Sequence, residues 1–154
     1  MGSPLILRPS CVEISLNATT PTDAIKELVG LLVAAKLVSN GDLLAKHILD
    51  REAIRHTGLV KNFALPRGAA HEVVDHCLAI GKFKSSVKWT AHDQLQVEMV
   101  ILYASPLPKS LDFLANLVAL AKVCNKMHNR EILMKSGNSA DLFDIASTLF
   151  ATQG

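Results

Sequence analysis

A nearly unbroken apolar stretch limits the folds that this 154-residue chain can adopt. Residues Leu95–Ala104 read LQVEMVILYA and contain one charged side chain, that of Glu98. Alternation of apolar and polar residues is typical of a strand with one face in water, whereas a continuous apolar run is typical of a strand buried on both faces. The run therefore predicts a central strand in a sheet that is covered on both sides.

Helix and strand patterns surround this strand along the chain. Thr20-Pro21-Thr22-Asp23 combines a capping threonine, a proline in the first turn and an acidic residue three positions after the cap, which predicts the start of a helix. In chain order the patterns predict a strand over Cys11–Leu16, helices from Thr20 and from about Asn40 to Arg55, strands over Phe63–Leu65, Val73–Phe83, Val87–Trp89 and Leu95–Ala104, and helices over Leu111–Met127, Asn129–Lys135 and Asn138–Phe150. This order predicts an α/β fold, with a mixed β-sheet flanked by helices on both faces.

Composition narrows the classes of partner and of compartment. Hydrophobic residues make up 49% of the sequence, so a single domain over residues 1–154 can bury a core without disulfides. A net charge of +2, without a block of basic residues, argues against a nucleic-acid partner. The apolar run Leu28–Leu37 is too short to cross a bilayer, so direct membrane insertion is not expected.

The cysteines favour a reducing compartment. Cys11, Cys77 and Cys124 are odd in number and far apart in the sequence, which favours reduced thiols over a disulfide framework or a zinc site. We therefore expect the cytoplasm. Cys77 is next to His76, but neighbours on a strand point to opposite faces, so a buried structural cysteine is predicted rather than a nucleophile. No cofactor is expected.

The segment Thr57–Gly68, TGLVKNFALPRG, resembles a known phosphorylation motif. It is similar to T-G-I-G-N-G-x-A-I-P-H-G, which holds the phospho-acceptor histidine in enzyme IIA domains of the mannitol, fructose and nitrogen-regulatory branch of the bacterial sugar phosphotransferase system. The resemblance extends over residues 16–149 and includes Arg51, which matches an active-site arginine of the family. Ser110–Leu117 resembles a helix that begins with a second histidine. The resemblance implies the α/β sandwich fold of that family and a protein partner: a phosphotransferase component, a transporter or a regulator.

Both imidazoles that the resemblance leads us to expect are replaced. Arg67 occupies the acceptor position, and Ser110 occupies the second position. A guanidinium stays protonated and cannot attack phosphorus. Val60 and Asn62 replace glycines that would let the backbone approach a phosphoryl group. The sequence therefore predicts an enzyme IIA-like domain without catalytic residues at these positions, which has lost phosphohistidine chemistry and acts as a regulatory protein-interaction module.

An anion site is the first alternative. If the resemblance holds, Arg51, Arg67 and Ser110 surround one pocket, where two guanidiniums and a hydroxyl would hold a phosphate or a carboxylate. A domain that senses small anions or nucleotides would use such a pocket. Alternatively, Arg67 extends from its loop into solvent, as arginines that follow a proline in a loop often do. The apolar face of Ala115–Val123 would also allow an oligomer.

A phosphoryl carrier that uses another histidine is the second alternative. His71 lies four residues after Arg67, and His56 immediately precedes Thr57. In-line transfer is sensitive to placement, because a shift of about 1 Å already lowers the rate roughly 100-fold. Surface imidazoles are therefore the favoured interpretation of both histidines. The spacing of His71, Asp75 and His76 matches no helical metal motif, so no metal site is predicted.

Overall fold

The computed structural model describes residues 4–54, 59–89, 96–108 and 110–150. Within these ranges the chain forms a six-stranded mixed sheet and five α-helices. The strands are β1 (Val12–Leu16), β2 (Leu59–Val60), β3 (Phe63–Ala64), β4 (Arg67–Ala70), β5 (Cys77–Lys88) and β6 (Gln96–Pro106). The helices are α1 (Pro21–Ala34), α2 (Gly41–Ile54), α3 (Leu111–Cys124), α4 (Met127–Met134) and α5 (Ser139–Leu149).

Strand β6 lies at the centre of the sheet. It pairs antiparallel with β5, and it pairs parallel with β3 near Met99 and with β4 from Tyr103 to Pro106. The strand order is β1-β5-β6-β3-β2, with β4 placed on β6 beyond β3. Apart from Glu98, every residue over 97–105 is buried. The predicted central strand is therefore confirmed.

The two faces of β6 contribute to two separate cores. Val100 and Leu102 belong to the apolar cluster formed with α1 and α2. Ile101 and Tyr103 point the other way and belong to the cluster formed with α3, α4 and α5. Because successive side chains of a strand alternate between faces, one apolar strand supplies both cores. The predicted α/β fold, with helices on both faces of a mixed sheet, is confirmed.

Side-chain caps fix where helices begin. The Thr20 hydroxyl accepts a hydrogen bond from the Asp23 amide at 3.1 Å, and the Asn138 side chain accepts one from the Asp141 amide at 2.8 Å. Each cap satisfies an amide that the first helical turn leaves unpaired, and it contributes about 1 kcal/mol. The helix starts predicted at Thr20 and at Asn138 are thus confirmed as capping positions.

Several predicted boundaries are wrong. Strands predicted over Val73–Phe83 and Val87–Trp89 are one strand, β5, which begins at Cys77 and changes register with β6 between Lys82 and Val87. α3 ends at Cys124 instead of Met127. Val73 lies in a turn before β5, where its amide donates to the Ala70 carbonyl. An apolar run shows that a segment is buried, but it does not show where the ladder of hydrogen bonds starts. Arg55, the predicted end of α2, lies outside the described residues.

The cysteines lie in the cores. Cys11, Cys77 and Cys124 are buried and unlinked. Burial raises the pKa of Cys77 and of Cys124 to about 12 and raises the pKa of Cys11 above its ordinary value. Cys77 is therefore a protonated core thiol near neutral pH, in agreement with its predicted structural role. Among the described helices, none combines the length and the apolar character that a membrane span needs.

Gly68 in β4 sets how closely α2 packs on the sheet. A Cβ atom at Gly68 would lie 2.5 Å from Ile48 Cγ1. Both residues are buried. Arg51 follows Ile48 by three residues on α2, and Arg67 precedes Gly68 on β4, so this close contact also fixes the distance between the two arginines.

Gly68→Ala is expected to lower the free energy of unfolding by about 1–3 kcal/mol, because the added methyl group would overlap Ile48. Gly30→Ala in α1 is the matched control, since a Cβ atom there meets no described atom within 4 Å. Alanine is favoured over glycine in a helix by roughly 1 kcal/mol, so the control should be slightly more stable than the wild type. Urea unfolding measures both effects, and a Gly68→Ala variant as stable as the wild type would contradict the close packing.

Candidate functional site

A cavity of about 260 Å³ lies where α2, β4 and the beginning of α3 meet. Its wall is formed by His47, Arg51, Arg67, Gly68, Ala69, Leu107 and Phe113. Arg51 and Arg67, predicted to share a site, are therefore brought together. Their role in binding an anion stays a prediction.

Strand pairing places Arg67 at the cavity. Arg67 lies opposite Tyr103 in the parallel ladder between β4 and β6, and the Tyr103 amide donates to the Pro66 carbonyl at 3.0 Å. Arg67 begins β4, which runs to Ala70. Arg67 is half-buried and lines the cavity. The alternative in which its side chain extends from a loop into solvent does not describe the structure.

Arg51 reaches the cavity from the last turn of α2. Its side chain is half-buried, and its Nε atom is buried without a hydrogen-bond partner among the described residues. Leaving a buried donor unpaired costs about 1–3 kcal/mol, and more for a charged group.

His47 is a cavity residue that the sequence interpretation missed. Its Nδ1 atom lies 3.0 Å from the carbonyl oxygen of Ala69. A carbonyl oxygen only accepts hydrogen bonds, so Nδ1 carries the hydrogen and the neutral ring keeps its lone pair on Nε2. His47 precedes Arg51 by four residues, and this spacing places two helical side chains on one face. The four-residue spacing between His47 and Arg51 is therefore the sequence feature that could have placed His47 at the site.

The other residues predicted for the site lie elsewhere. Ser110 is exposed and caps α3, where its hydroxyl accepts a hydrogen bond from the Asp112 amide at 3.2 Å. It does not line the cavity, although Phe113 in the same helical turn does. His71 is exposed beyond the end of β4 and also does not line the cavity. His56 lies outside the described residues.

Glu52 is a carboxyl group beside the two arginines. Burial raises its pKa to about 7, although a hydrogen bond from Trp89 and the positive charges of Arg67 and Arg51 act in the opposite direction. The Glu52 Oε2 atom is buried and lacks a hydrogen-bond partner among the described residues. Near neutral pH this carboxyl is therefore only partly ionised, and it offsets only part of the positive charge at the cavity.

The two residues that replace glycines of the motif, Val60 and Asn62, lie at a hairpin. Val60 ends β2, and Asn62 precedes β3, to which β2 pairs antiparallel. The residue with a left-handed backbone is Lys61, with φ of 56°. The side-chain Nδ2 atom of Asn62 donates a hydrogen bond to a carboxylate oxygen of Glu98 on β6. Neither Val60 nor Asn62 lines the cavity.

His76 takes part in a buried polar chain instead of a metal site. His76 Nδ1 lies 2.7 Å from the Tyr103 hydroxyl, which also accepts a hydrogen bond from Asn116 at 3.1 Å. Burial raises the pKa of Tyr103. In the part of the chain that the structure describes, no three His, Cys, Asp or Glu side chains are placed to hold a metal ion.

The family model for EIIA 2 of the phosphoenolpyruvate-dependent sugar phosphotransferase system matches residues 5–148 of the chain. Among curated proteins, the chain is similar to the PTS system fructose-specific EIIABC component of Bacillus subtilis (strain 168), with 21% identity over 140 residues. The matched region covers 91% of this chain and 22% of that protein, so the chain spans about a fifth of the length of this relative.

Solved structures of other proteins share this fold. Nitrogen regulatory protein IIA-Ntr from Neisseria meningitidis matches with a TM-score of 0.79 and 23% identity, over 91% of this chain and 95% of that chain. The complex of enzyme IIA-mannitol and phosphorylated enzyme IIB-mannitol from Escherichia coli matches with a TM-score of 0.75 and 20% identity, over 96% of this chain and 98% of that chain. At such identities the likeness shows the fold alone, and it confirms the expected α/β sandwich.

Glu52→Gln is expected to change how stability depends on pH. The Glu52 pKa is about 7 in the folded chain, whereas its ordinary value is 4.5. At a pH between these two pKa values, the folded state holds a proton that the unfolded state has lost. The free energy of unfolding of the wild type should therefore fall as the pH rises from about 4.5 to 7, and glutamine should remove this fall.

Urea unfolding at several pH values between 5 and 8 measures this difference. Asp144→Asn, which changes an exposed side chain of α5, is the control and should leave the fall in place. Parallel pH profiles for the wild type and Glu52→Gln would show that the Glu52 carboxyl is not perturbed.

Proposed function

Because the chain belongs to the EIIA 2 family of the phosphoenolpyruvate-dependent sugar phosphotransferase system, we propose that it is a regulatory member that binds a partner protein and relays no phosphate. The observation that carries this proposal is the position of Arg67, which matches the acceptor histidine in the motif and lines a cavity together with Arg51. A guanidinium has no nucleophilic lone pair near neutral pH, so Arg67 cannot form the N–P bond.

Arg67 would fix the charge state of the cavity. Phosphorylation adds about two negative charges to a side chain. A permanent positive charge at this position prevents such a change, and it holds the domain in the state that an unphosphorylated relative would adopt. The surface around the cavity would then offer one constant binding state to a partner in the cytoplasm.

The relatives support a protein partner. One structure with this fold is a nitrogen regulatory protein, and another is an enzyme IIA bound to a phosphorylated enzyme IIB. The fructose-specific relative combines EIIA with other components in one chain. We therefore expect the partner to be a phosphotransferase component, a transporter or a regulator.

Phosphoryl transfer to His47 is a second candidate function, and it rests on one specific observation. The hydrogen bond to Ala69 places a ring hydrogen on Nδ1, which leaves Nε2 as the ring nitrogen that could react, and His47 lines the cavity. In such a step a phosphohistidine carrier would lose its N–P bond, a new bond would form between phosphorus and His47 Nε2, and Nδ1 would keep its proton. Arg51 and Arg67 would then contact the transferred group.

Labelling by a purified phosphotransferase relay with radioactive phosphoenolpyruvate separates the two candidates. The wild type is expected to stay unlabelled, because the motif position lacks an imidazole. Arg67→His/Ser110→His restores both imidazoles and should take up more acid-labile label than the wild type. Arg67→Lys is the matched control, because it keeps the positive charge without supplying an imidazole.

Label on the wild type would contradict the regulatory proposal. If His47→Gln then abolished that label, His47 would be the acceptor and the second candidate would replace the first. Label that persisted in His47→Gln would assign the acceptor to another histidine, and His71→Ala and His56→Ala would then be compared.

A further inference from the structure

A second cavity, of about 360 Å³, lies between the hairpin of β2 and β3, strand β6 and helix α4. It shares no lining residue with the cavity at Arg51 and Arg67. We propose that this second cavity, the hairpin cavity, binds a small zwitterion: a free α-amino acid with an apolar side chain. The inference goes beyond the proposed function, because it concerns another part of the surface and involves no phosphoryl group.

The wall of the hairpin cavity carries charges of both signs. Lys61 and Arg130 are its cations, and Glu98 and Glu131 are its carboxylates. None of these four side chains forms a salt bridge with another residue in the described part of the chain. A ligand that bears one charge of each sign would find a partner for both, whereas a simple anion or cation would also face like charges. The charge pattern therefore favours a zwitterion.

Glu98 is the charged residue of an otherwise apolar central strand. Its neighbours Val97 and Met99 are fully buried, whereas Glu98 is half-buried and lines the hairpin cavity. The Asn62 side chain donates a hydrogen bond to Glu98 Oε2, and Glu98 Oε1 accepts none from a described residue. One oxygen thus orients the carboxylate, and the other is available to a donor such as an ammonium group.

Helix α4 lines the hairpin cavity with one face. Residues spaced three or four positions apart form this face: Met127, Arg130, Glu131 and Met134. Lys82 on β5 donates a hydrogen bond to the Met134 carbonyl at 2.8 Å, and Arg130 Nη1 donates one to the Cys124 carbonyl at 2.8 Å. These bonds tie α4 to the sheet and to the end of α3, so the charged groups are held on rigid elements.

Arg130 and Lys61 would bind the carboxylate of the ligand. Apart from the bond of Nη1 to Cys124, the Arg130 guanidinium donates to no described residue, and its planar fork of donors pairs with both oxygens of a carboxylate. Lys61 is exposed at the turn between β2 and β3, and its ammonium group adds a second positive charge. The ammonium group of the ligand would then face Glu98 and Glu131.

Size and apolar contacts narrow the ligand to an amino acid. Pockets for small molecules range over roughly 300–1,000 Å³, and the hairpin cavity lies at the lower end of this range. A free amino acid is ionised at both its carboxyl and its amino group near neutral pH. Met127 is 65% exposed and Met134 is half-buried. Because methionine side chains are flexible and apolar, they would pack around the side chain of the ligand.

An NMR titration of the whole chain at neutral pH tests this inference, with L-leucine as the probe. Isoamylamine is leucine without its carboxylate, and isocaproate is leucine without its amino group. The amide signals of Asn62, Glu98 and Arg130 should shift with leucine. Leucine is expected to bind about tenfold more tightly than either analogue, because hydrogen bonds between ionised groups are the strong ones. Glycine, which lacks the apolar side chain, should bind several-fold more weakly than leucine.

Variants assign the two ends of the ligand. Lys61→Gln should weaken leucine binding about tenfold and leave isoamylamine, which has no carboxylate, unaffected. Glu98→Gln should weaken leucine binding by a similar factor and leave isocaproate unaffected, since glutamine still accepts the hydrogen bond from Asn62. If circular dichroism shows that Glu98→Gln does not fold, Glu131→Gln serves instead, because it changes an exposed side chain.

Two matched controls neutralise exposed charges outside the hairpin cavity. Lys122→Gln on α3 removes a positive charge, and Asp144→Asn on α5 removes a negative charge. Both should bind leucine as tightly as the wild type. A similar loss of affinity in the controls and in the cavity variants would show that only the overall charge of the protein matters, and it would overturn the inference.

Three further results would overturn the inference. Leucine that shifts none of the cavity signals would show that no amino acid of this kind binds. Equal affinity for leucine and isocaproate would identify a site for a simple anion. Wild-type affinity in both Lys61→Gln and Glu98→Gln would show that the charged wall does not hold the ligand. The proposed function is tested separately by relay labelling, so its failure and the failure of this inference are distinguishable.

Discussion

The close approach of α2 to β4 is the constraint on which the candidate site depends. Gly68 leaves no room for a side chain against Ile48, so the helix that carries Arg51 packs directly on the strand that carries Arg67. Pairing of β4 with β6 holds this strand against the centre of the sheet. Two like charges are thereby brought to one cavity.

Local patterns predict the fold well where they coincide with tertiary packing. The apolar run of β6 and the capping residues Thr20 and Asn138 predict the central strand and two helix starts. β4 is different, because the sequence Arg-Gly-Ala-Ala has little strand propensity and becomes a strand only through hydrogen bonds to β6. β5 is also longer than its pattern suggests, since its pairing with β6 continues past a change of register.

The site was predictable where it resembles a known motif and less so where it depends on packing. The motif places Arg51 and Arg67 at one cavity, but it also suggests Ser110, whose hydroxyl instead caps a helix. His47 and Glu52 take part through the burial and the hydrogen bonds of α2. A single sequence does not show that the Nδ1 hydrogen of His47 is held by a carbonyl of β4. Nor does it show that the Glu52 carboxyl beside the two arginines is partly buried.

The position of Trp89 gives the molecule an optical reporter of its own. The chain has one tryptophan, and this residue is buried and hydrogen-bonded to Glu52 beside the two arginines. Indole emission responds to nearby charge, so the fluorescence of the unlabelled protein would follow the ionisation of Glu52. The protonation of this buried carboxyl can thus be followed in solution without attaching a dye.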